Sequence, residues 1–277
     1  MPELPEVEVT MRGIRPALSD ATIEKVWFDD LKLRRPLLPE LKKLEGAKVT
    51  EIKRRAKYIV VNTTNGSLLI HLGMTGHLSV LKAPKERAKH DHFELQLGNG
   101  SIIRYNDSRR FGLIWYYPAG VDPNKGDFLK DLGPEPLSEE FNSEYLYKAL
   151  SRLKKDIKLS ITDPKVVVGV GNIYASEVLF AARINPMRRS SDLSVDECEK
   201  LVSAIKNILA RSIEQGGTTI INFQGADGKM GYFVQQLNVY GRKGKKCPVC
   251  GTEIAMVVLG QRSTFYCPCC QKNYTAT

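Results

Sequence analysis

The sequence predicts a multidomain α+β protein, with an antiparallel β-rich first half, a helical second half and a small cysteine-bearing module near the end. Three observations support this prediction. Strand-like runs fill the chain from Glu24 to about Tyr117. Apolar residues recur at helical spacing from Val195 to Ile213, and five of the six cysteines lie in residues 247–270.

The first half is predicted to be an antiparallel sandwich or barrel. Its strand-like runs are EKVWF, KVTEIKR, YIVVN, SLLIHL, HFELQL, SIIRYN and LIWYY. Asn65-Gly66 and Gly98-Asn99-Gly100 lie between such runs, and these residues tolerate the positive φ that hairpin turns require. We therefore expect hairpins at both places.

The second half is predicted to be helical. Ser194 and Glu197 have the spacing of a capping box, and the apolar stripe that follows ends at Gly216-Gly217. Cys198 lies on that stripe, so we interpret it as a packing residue. The segment from about Thr218 to Gln236 is rich in glycine and long for a connection, which predicts a functional loop.

These patterns divide the chain into four parts. Residues 1–118 form the predicted β domain, and residues 119–136, within a stretch rich in Pro and Gly, form the linker. Residues 137–237 form the helical domain with its loop, and residues 238–277 form the cysteine module.

The chain has 277 residues and a formal net charge of +10. This length favours two domains, one with a small appendage. A basic surplus of this size favours a polyanionic partner, nucleic acid before an anionic membrane. The apolar runs are far shorter than the roughly 20 residues of a spanning helix, and the first residues lack the pattern of a secretory signal. We therefore expect a soluble intracellular protein.

The cysteine module has the spacing of a four-thiolate zinc site. Cys247 and Cys250 form one CxxC pair, and Cys267 and Cys270 form the second. Such a site holds one structural zinc ion, which stabilises a segment too short to have its own core. Cys269 is an alternative ligand to Cys270, although the CxxC spacing favours Cys270.

The residues between the two cysteine pairs predict a zinc-ribbon-like finger. The runs AMVVL and STFY can pair as a hairpin across Gly260, and Arg262 is expected in its turn. From Asn238 to Thr277 there are six Lys or Arg residues against one acidic residue. A basic hairpin tip of this kind suits contact with a DNA groove or phosphate.

The opening MPELPEVEV offers a possible nucleophile. Removal of Met1 would leave Pro2 as a terminal secondary amine beside Glu3, and an α-amino group titrates near pH ~8, well below lysine. Attack of this amine on a sugar C1′ would give an iminium ion, an electron sink that allows β-elimination. Glu3 and Glu6 could transfer the protons. Without further information, PELPEVE is more often just a rigid, acidic start of a chain.

Further motifs resemble, in order, those of the bacterial formamidopyrimidine-DNA glycosylases, the Fpg or MutM family. After PELPEVE they are RRAKY, IHLGMTGHL, KHDH, DSRRFG, LGPEPL, VVVGVGNIYASEVLF, DGKMGYF, VYGRKG, CPVC and QRSTFYCPCC. They run from residue 2 to about residue 272. No single motif is decisive, but their joint order and spacing carry the resemblance.

The resemblance implies an N-terminal antiparallel β-sandwich with an N-terminal helix, a helix-two-turn-helix domain and a zinc finger. It implies a bifunctional glycosylase and lyase in which Pro2 is the Schiff-base nucleophile and Glu3 the acid-base residue. Lys57 would donate a proton and contact phosphate during elimination. Arg262 would bind the phosphate beside the lesion and assist a second, δ-elimination.

The resemblance also implies residues that fill the duplex after a damaged base is flipped out. Met74 and Phe111 would wedge between bases, and Arg109 would hydrogen-bond the orphaned cytosine. Read without the family, Met74 and Phe111 are core residues beside a loop.

The remaining implied DNA contacts clamp the damaged strand. Asn172 follows glycines before a predicted helix, where exposed backbone amides suit phosphate, although a tight turn is the plainer interpretation. His71 and His90 would join this clamp, but a histidine in a strand is more often structural. Glu6 and Lys154 complete the expected DNA-binding set.

The chain departs from the family pattern at several positions. Ile221 stands where relatives commonly carry Arg or Lys, and Leu159 follows Lys158 where a proline is usual. Leu153 takes the place of a basic DNA contact, beside Lys154. These departures leave the lesion preference open without touching the expected chemistry.

The sequence leaves three alternative functions to weigh. The class resembling endonuclease VIII shares the Pro2 chemistry but removes oxidised pyrimidines, and its opening typically reads PEGPE. A zinc-finger DNA-binding protein without catalysis would not need Pro2. A membrane-surface protein is disfavoured because no basic amphipathic helix with an aromatic face is present in the sequence.

We therefore expect a DNA repair enzyme that excises 8-oxoguanine and formamidopyrimidines from damaged double-stranded DNA. Its one cofactor would be the structural zinc ion, with no small-molecule cofactor and no membrane partner. The resemblance implies a monomer in the bacterial cytoplasm, associated with the nucleoid.

Overall fold

The computed structural model describes residues 1–217 and 237–272, which fold into two compact units. The first unit comprises Met1–Asp131 together with residues 215–217, and the second comprises Leu132–Glu214 and residues 237–272. Each unit has its own apolar core. The predicted loop from Thr218 to Gln236, and Ile221 with it, lies outside the described residues.

The first unit opens with helix α1 (Leu4–Leu18). A proline in its first turn suits helix initiation, because the amide hydrogen that proline lacks would have no partner there. Glu3 and Glu6 form a reciprocal capping box, in which the Glu3 backbone N–H donates to Glu6 Oε2 at 2.8 Å. Val7, Met11 and Ile14 are buried on the inner face of the helix.

Eight strands of the first unit form two four-stranded antiparallel sheets. The strands are β1 (Ile23–Phe28), β2 (Val49–Arg55), β3 (Tyr58–Thr63), β4 (Gly66–His71), β5 (His77–Leu81), β6 (Asp91–Leu97), β7 (Ile102–Asn106) and β8 (Leu113–Pro118). One sheet has the order β1-β6-β7-β5, and the other has the order β2-β3-β4-β8. Residues from both sheets and from α1 share one buried cluster. The fold is therefore the predicted β-sandwich and not a barrel.

Strand β5 is not among the strands that the sequence predicts. Leu78 is its one fully buried residue, while its other residues are half-buried. Polar and apolar residues alternate only from His77 to Val80, which is the shortest run that indicates a strand, so the signal in the sequence is small.

The predicted hairpins are present, with one shift. Thr63 pairs with Gly66, so the turn between β3 and β4 consists of Thr64 and Asn65, one residue earlier than predicted. Gly100 adopts a φ of 80° in the turn between β6 and β7. Two 3₁₀ segments, Pro39–Leu44 and Pro123–Lys125, also belong to the first unit.

Part of the Pro- and Gly-rich stretch packs onto the sandwich. The Phe128 ring meets the edge of Trp115 of β8 at a centroid distance of 5.5 Å, and Leu129 is buried. The boundary between the two units lies between Asp131 and Leu132.

The described part of the second unit contains four helices and a 3₁₀ segment. They are α2 (Ser143–Leu150), α3 (Ile157–Ile161), α4 (Asn172–Ala181), Ser190–Asp192 and α5 (Val195–Glu214). The predicted capping box of α5 is confirmed: the Ser194 N–H donates to Glu197 Oε2 at 2.9 Å, and the Glu197 N–H donates to Ser194 Oγ at 3.2 Å. Cys198 is fully buried in the helical core, as predicted.

The second unit ends in a two-stranded hairpin, β9 (Ala255–Leu259) and β10 (Arg262–Tyr266). Gly260 and Gln261 have φ values of 52° and 63°, the positive values that suit a two-residue turn between twisted strands. Arg262 is the first residue of β10, opposite Leu259. It therefore lies immediately after the turn and not within it.

No helix in the described ranges combines the length and the apolar content that crossing a bilayer requires.

Candidate active site and zinc centre

The chain terminus lies in a charged, partly buried site of the first unit. Glu3 and Glu6 are buried there, and Pro2 is buried beside them. Burial lowers the pKa of the terminal amine of Met1, the nearby carboxylates of Glu3 and Glu6 oppose this change, and Lys57 and Arg109 add to it. While Met1 is present, the nitrogen of Pro2 is an amide. The Met1 amine therefore marks, one residue away, the environment that a terminal Pro2 amine would enter.

Lys57 is presented by the tight turn between β2 and β3. Arg55 pairs with Tyr58, so Ala56 and Lys57 form the turn. Ala56 has a φ of 55°, a left-handed conformation that residues with a side chain adopt at a cost. Lys57 therefore lies on a short turn with little freedom, close enough to the terminal amine to affect its pKa.

His71 lies at the end of β4, beside the same turn. Its Nδ1 accepts the Gly73 N–H at 3.0 Å, and its ring lies 4.8 Å from the Tyr58 ring. Burial lowers the pKa of His71 to about 4, and the positive charges of Arg34 and Lys57 contribute to this. The ring is therefore neutral at neutral pH, so it can offer Nε2 as a neutral hydrogen-bonding group.

Met74, Arg109 and Phe111 lie on two loops of the same unit. Met74 is 42% exposed and Phe111 is 49% exposed, so neither is the core residue that their apolar character alone would suggest. The Arg109 guanidinium lies 4.7 Å from the centre of the Phe111 ring, a cation–π contact. His90 is joined to the second loop, because its carbonyl accepts the Asp107 N–H at 2.9 Å.

Asn172 is the first residue of α4 in the second unit. Its Oδ1 accepts a hydrogen bond from Lys158 Nζ at 2.6 Å, and its Nδ2 donates to the Ser263 carbonyl at 3.0 Å. The side chain is therefore tied to β10, next to Arg262. Arg262 is exposed, so the second unit brings two of the predicted phosphate contacts to one place.

Lys158 is a residue that the sequence did not single out for a role. It is only 1% exposed, and its ammonium group also donates to Thr264 Oγ1 at 2.6 Å and to the Ser263 carbonyl at 3.2 Å. A buried lysine with such partners joins α3, α4 and β10. A lysine next to a leucine carries no sequence signal of burial, because lysine is usually exposed.

The structure shows where two of the departures from the family pattern lie. Leu153 packs against the helical core, so an apolar residue suits its position. Leu159 lies under the hairpin tip, where a Cβ on Gly260 would come within 2.7 Å of Leu159 Cδ2. The predicted DNA contact Lys154, next to Leu153, is exposed in the loop before α3.

Glu177 is a second buried charged residue that the sequence did not indicate. Its Oε1 accepts the N–H groups of Val239 and Tyr240, and its Oε2 accepts the N–H of Asn238. All three distances are 2.9 Å. This carboxylate of α4 therefore fixes the chain where it enters the finger.

The four predicted cysteine ligands come together in the finger. Their Sγ atoms all lie within 4.8 Å of one another, with 3.9 Å between Cys247 and Cys270 and 3.5 Å between Cys250 and Cys267. A tetrahedral zinc ion with Zn–S bonds of about 2.3 Å needs sulfurs roughly 3.8 Å apart. The residues fit one structural zinc ion, and the cluster includes Cys270 rather than the exposed Cys269.

Three family models match the chain. The Formamidopyrimidine-DNA glycosylase N-terminal domain matches residues 1–114, and the Formamidopyrimidine-DNA glycosylase H2TH domain matches residues 132–224. The zinc finger found in FPG and IleRS matches residues 244–273. The finger is thus a member of a known class of zinc finger.

The chain is similar over nearly its whole length to curated bacterial proteins. The formamidopyrimidine-DNA glycosylase of Vibrio vulnificus strain YJ016 is 50% identical over 271 residues, which cover 98% of this chain and 100% of that protein. The formamidopyrimidine-DNA glycosylase of Salmonella paratyphi B is 51% identical over 272 residues, with the same two coverages.

Solved structures have the same fold. The MutM (FPG) protein of Thermus thermophilus has 36% identity and a TM-score of 0.87, and covers 99% of this chain and 100% of its own. A mutant FPG of Lactococcus lactis, in complex with DNA containing Fapy-dG, has 32% identity and a TM-score of 0.90. A MutM complex with DNA containing carbocyclic 8-oxo-G has 32% identity and a TM-score of 0.88. These two cover 98% of this chain and 100% of their own. The chain belongs to the formamidopyrimidine-DNA glycosylase family.

Proposed function

We propose that this protein excises oxidised purines, 8-oxoguanine and formamidopyrimidines, from duplex DNA and then cleaves the strand at the resulting site. The observation that carries the proposal is the partly buried chain terminus, where Glu3 and Glu6 flank the amine and Lys57 lies close by. The relatives named above are called formamidopyrimidine-DNA glycosylases, and two of the similar structures are complexes with DNA containing Fapy-dG or carbocyclic 8-oxo-G.

The reaction begins after Met1 has been removed. The lone pair of the Pro2 amine forms a bond to C1′ of the damaged nucleotide, and the bond between C1′ and the base breaks. Burial lowers the pKa of the Met1 amine one residue away, and we expect the same surroundings to favour the unprotonated form of the Pro2 amine. Glu3 is the acid-base residue that transfers the protons of these steps.

The sugar ring then opens: the C1′–O4′ bond breaks, O4′ takes up a proton, and C1′ and the Pro2 nitrogen form a covalent iminium ion. Strand cleavage follows from this ion. The C2′ proton leaves, its electrons move toward the iminium nitrogen, and the C3′–O bond to phosphate breaks in β-elimination. A second, δ-elimination breaks the C5′–O bond. Lys57 donates a proton and contacts phosphate, and Arg262 binds the phosphate beside the lesion.

We assign the recognition of damaged DNA to residues of both units. Met74 and Phe111 enter the gap that the flipped base leaves, and Arg109 donates hydrogen bonds to the orphaned cytosine. In the second unit, Asn172 and Arg262 bind the backbone of the damaged strand, with Lys154 as a further basic contact. In the first unit, Glu6, His71 and His90 complete the contacts to the damaged nucleotide and its phosphates.

The zinc ion stabilises the finger and supplies no step of the chemistry. Cys247, Cys250, Cys267 and Cys270 hold it, and the hairpin that it stabilises presents Arg262. We propose further that the enzyme works as a monomer without a small-molecule cofactor, and that it acts in the bacterial cytoplasm on nucleoid DNA.

The proposal is tested by trapping the covalent intermediate. The protein, with Met1 removal checked by intact mass spectrometry, is incubated with an 8-oxoguanine:cytosine duplex and borohydride. We expect a covalent protein–DNA adduct whose DNA is attached to the N-terminal peptide at Pro2. The adduct should be lost or sharply reduced in Pro2→Ala and retained in the matched control Pro5→Ala.

Other results would favour the rivals. An adduct that forms on oxidised pyrimidines and not on 8-oxoguanine would favour the class resembling endonuclease VIII. DNA binding without any adduct, in protein that lacks Met1, would favour a non-catalytic DNA-binding protein.

A further inference from the structure

Two exposed loops of the first unit are joined at their base by one buried carboxylate. Residues 72–76 connect β4 to β5 and carry Met74, while residues 107–112 connect β7 to β8 and carry Arg109 and Phe111. Asp107 is 0% exposed at the base of the second loop. The sequence places it in the DSRRFG motif, but the proposed function gives it no role.

The Asp107 carboxylate accepts hydrogen bonds from both loops. Oδ1 accepts from Thr75 Oγ1 at 2.5 Å and from the Arg109 N–H at 3.3 Å. Oδ2 accepts from the Gly112 N–H at 2.8 Å and from the Tyr105 hydroxyl at 3.1 Å. The Arg109 N–H also donates to Thr75 Oγ1 at 3.1 Å, so Thr75 bridges the loops directly.

Tyr105 is the buried residue on which the bases of both loops pack. Its side chain is fully buried, and its hydroxyl lies so close to Gly76 and Gly112 that a Cβ at either position would overlap it. Burial and the adjacent Asp107 carboxylate raise the pKa of Tyr105 well above its usual value. The phenol therefore stays protonated and remains a hydrogen-bond donor to Asp107.

The two loops also contact each other through their backbones. A Cβ on Gly73 would come within 2.5 Å of the Gly112 nitrogen. The Gly73 N–H also donates a hydrogen bond to His71 Nδ1. On the other side, the Asp107 carbonyl accepts a hydrogen bond from His92 Nε2 at 3.0 Å. The loops are thus fixed at their base while Met74 and Phe111 remain exposed at their tips.

We propose that Asp107, with Thr75 and Tyr105, is a positioning group that holds Met74, Arg109 and Phe111 in one fixed arrangement for entry into the DNA duplex. This inference rests on the proposed function, in which those three residues fill the gap left by a flipped base. A prearranged wedge loses less conformational entropy on binding than two independent loops would lose. On a lesion that still has its base, the wedge must also displace that base from the stack, a step that an abasic site does not require. We therefore expect the group to matter more for the lesion than for an abasic site.

The test compares two DNA substrates. Tyr105→Phe removes only one hydroxyl, Thr75→Val removes the bridge, and Asp107→Asn removes one acceptor. For each variant, kcat and KM are measured on an 8-oxoguanine:cytosine duplex and on an abasic-site duplex. Loss of a hydrogen bond to a charged group predicts a fall of about 10- to 100-fold in kcat/KM on the lesion. On the abasic site we expect a fall of less than about threefold, because no base has to be extruded.

Two further measurements separate positioning from simple loss of structure. A 2-aminopurine base beside the lesion should report slower base extrusion in the variants by stopped-flow fluorescence. Tyr116→Phe is the matched control, because it removes a hydroxyl that donates to the Asn65 carbonyl at the far hairpin of the same unit. It should leave the ratio of the two activities unchanged.

Three outcomes would contradict the inference. Equal losses on the two substrates would show a general structural effect, and unchanged activity in all three variants would show that the positioning group is not needed. A wild-type protein that is inactive on both substrates would instead overturn the proposed function, and the inference with it.

Discussion

Burial lowers the pKa of two groups at the proposed active site. The terminal amine and His71 both have lowered pKa values because burial disfavours their charged forms, and neighbouring cations add to the effect. Nearby carboxylates only partly oppose this at the amine. A terminal Pro2 amine in the same surroundings needs an unprotonated nitrogen, because a nucleophile uses its lone pair.

His71 gives the first unit a pH-dependent stability. Its pKa of about 4 in the folded protein lies below the ordinary value of about 6.5, so the unfolded chain takes up the proton first as the pH falls. The stability contribution is complete above pH ~6.5 and is lost as the pH falls toward ~4, at up to about 1.4 kcal/mol per pH unit. Urea unfolding of the wild type and of His71→Asn at pH 7, 6 and 5 measures this.

His71→Asn is chosen because its side-chain oxygen can still accept the Gly73 N–H. The difference in unfolding free energy between the wild type and this variant should shrink as the pH falls. A difference that stays constant from pH 7 to pH 5 would contradict the assignment of this pH dependence to His71.

Tight hairpins present the cations proposed to contact phosphate. The turn between β2 and β3 carries Lys57, and the turn between β9 and β10 precedes Arg262. Both turns have two residues, so each side chain is held close to a rigid pair of strands. Lys158 fixes the second hairpin further, because its buried ammonium group binds Thr264 and Ser263.

The finger hairpin should depend on zinc bound through Cys270. Cys270→Ala removes one of four sulfur ligands, so we expect loss of the zinc ion and of the hairpin, and a large fall in DNA affinity. Cys269→Ala is the matched control, since its thiol lies outside the cluster. Metal analysis should find one zinc per chain in the wild type and in the control, and little in Cys270→Ala.

The opposite pattern would contradict the ligand set. If Cys269→Ala lost the metal while Cys270→Ala kept it, Cys269 would be the fourth ligand, the alternative that the sequence alone leaves open.

The whole molecule combines two compact units with a net charge of +10. Charge of this sign draws the protein to DNA without regard to sequence, while damage recognition depends on the arrangement of a few side chains. Each unit carries its own part of the proposed DNA contacts, and each has its own core to hold them.

DNA binding should weaken steeply with salt. For Z phosphate contacts, the logarithm of the association constant falls with the logarithm of the salt concentration, with a slope of about −0.9Z. Arg262→Ala should make this slope shallower by about 1, because one contact is lost. The association constant can be measured by fluorescence anisotropy between about 50 and 200 mM salt. Over this range the affinity of a protein with many phosphate contacts falls by about 10³- to 10⁵-fold.

Met74→Ala is the control for charge. It should weaken binding to damaged DNA without changing the slope, since Met74 carries no charge. An unchanged slope in Arg262→Ala would mean that Arg262 does not contact a phosphate.

The sequence by itself determined the features that depend on local patterns of residues. Alternating residues indicated seven of the strands, and the spacing of Ser194 and Glu197 indicated where α5 begins. The CxxC pairs indicated the zinc ligands, and the ordered motifs indicated the family. Each of these depends on residues a few positions apart, whose geometry is fixed by the backbone of one strand, helix or turn.

The tertiary structure alone decided which distant residues meet. It placed Lys158 in the interior, packed Leu153 against the helical core, and brought Tyr105 and Asp107 together with the neighbouring loop. Burial and partners of such residues depend on contacts between segments far apart in the chain, which no local pattern encodes. The sequence thus determined the elements and the chemical groups of this protein, while tertiary packing decided their ionisation and their arrangement, because both depend on surroundings that only the folded chain creates.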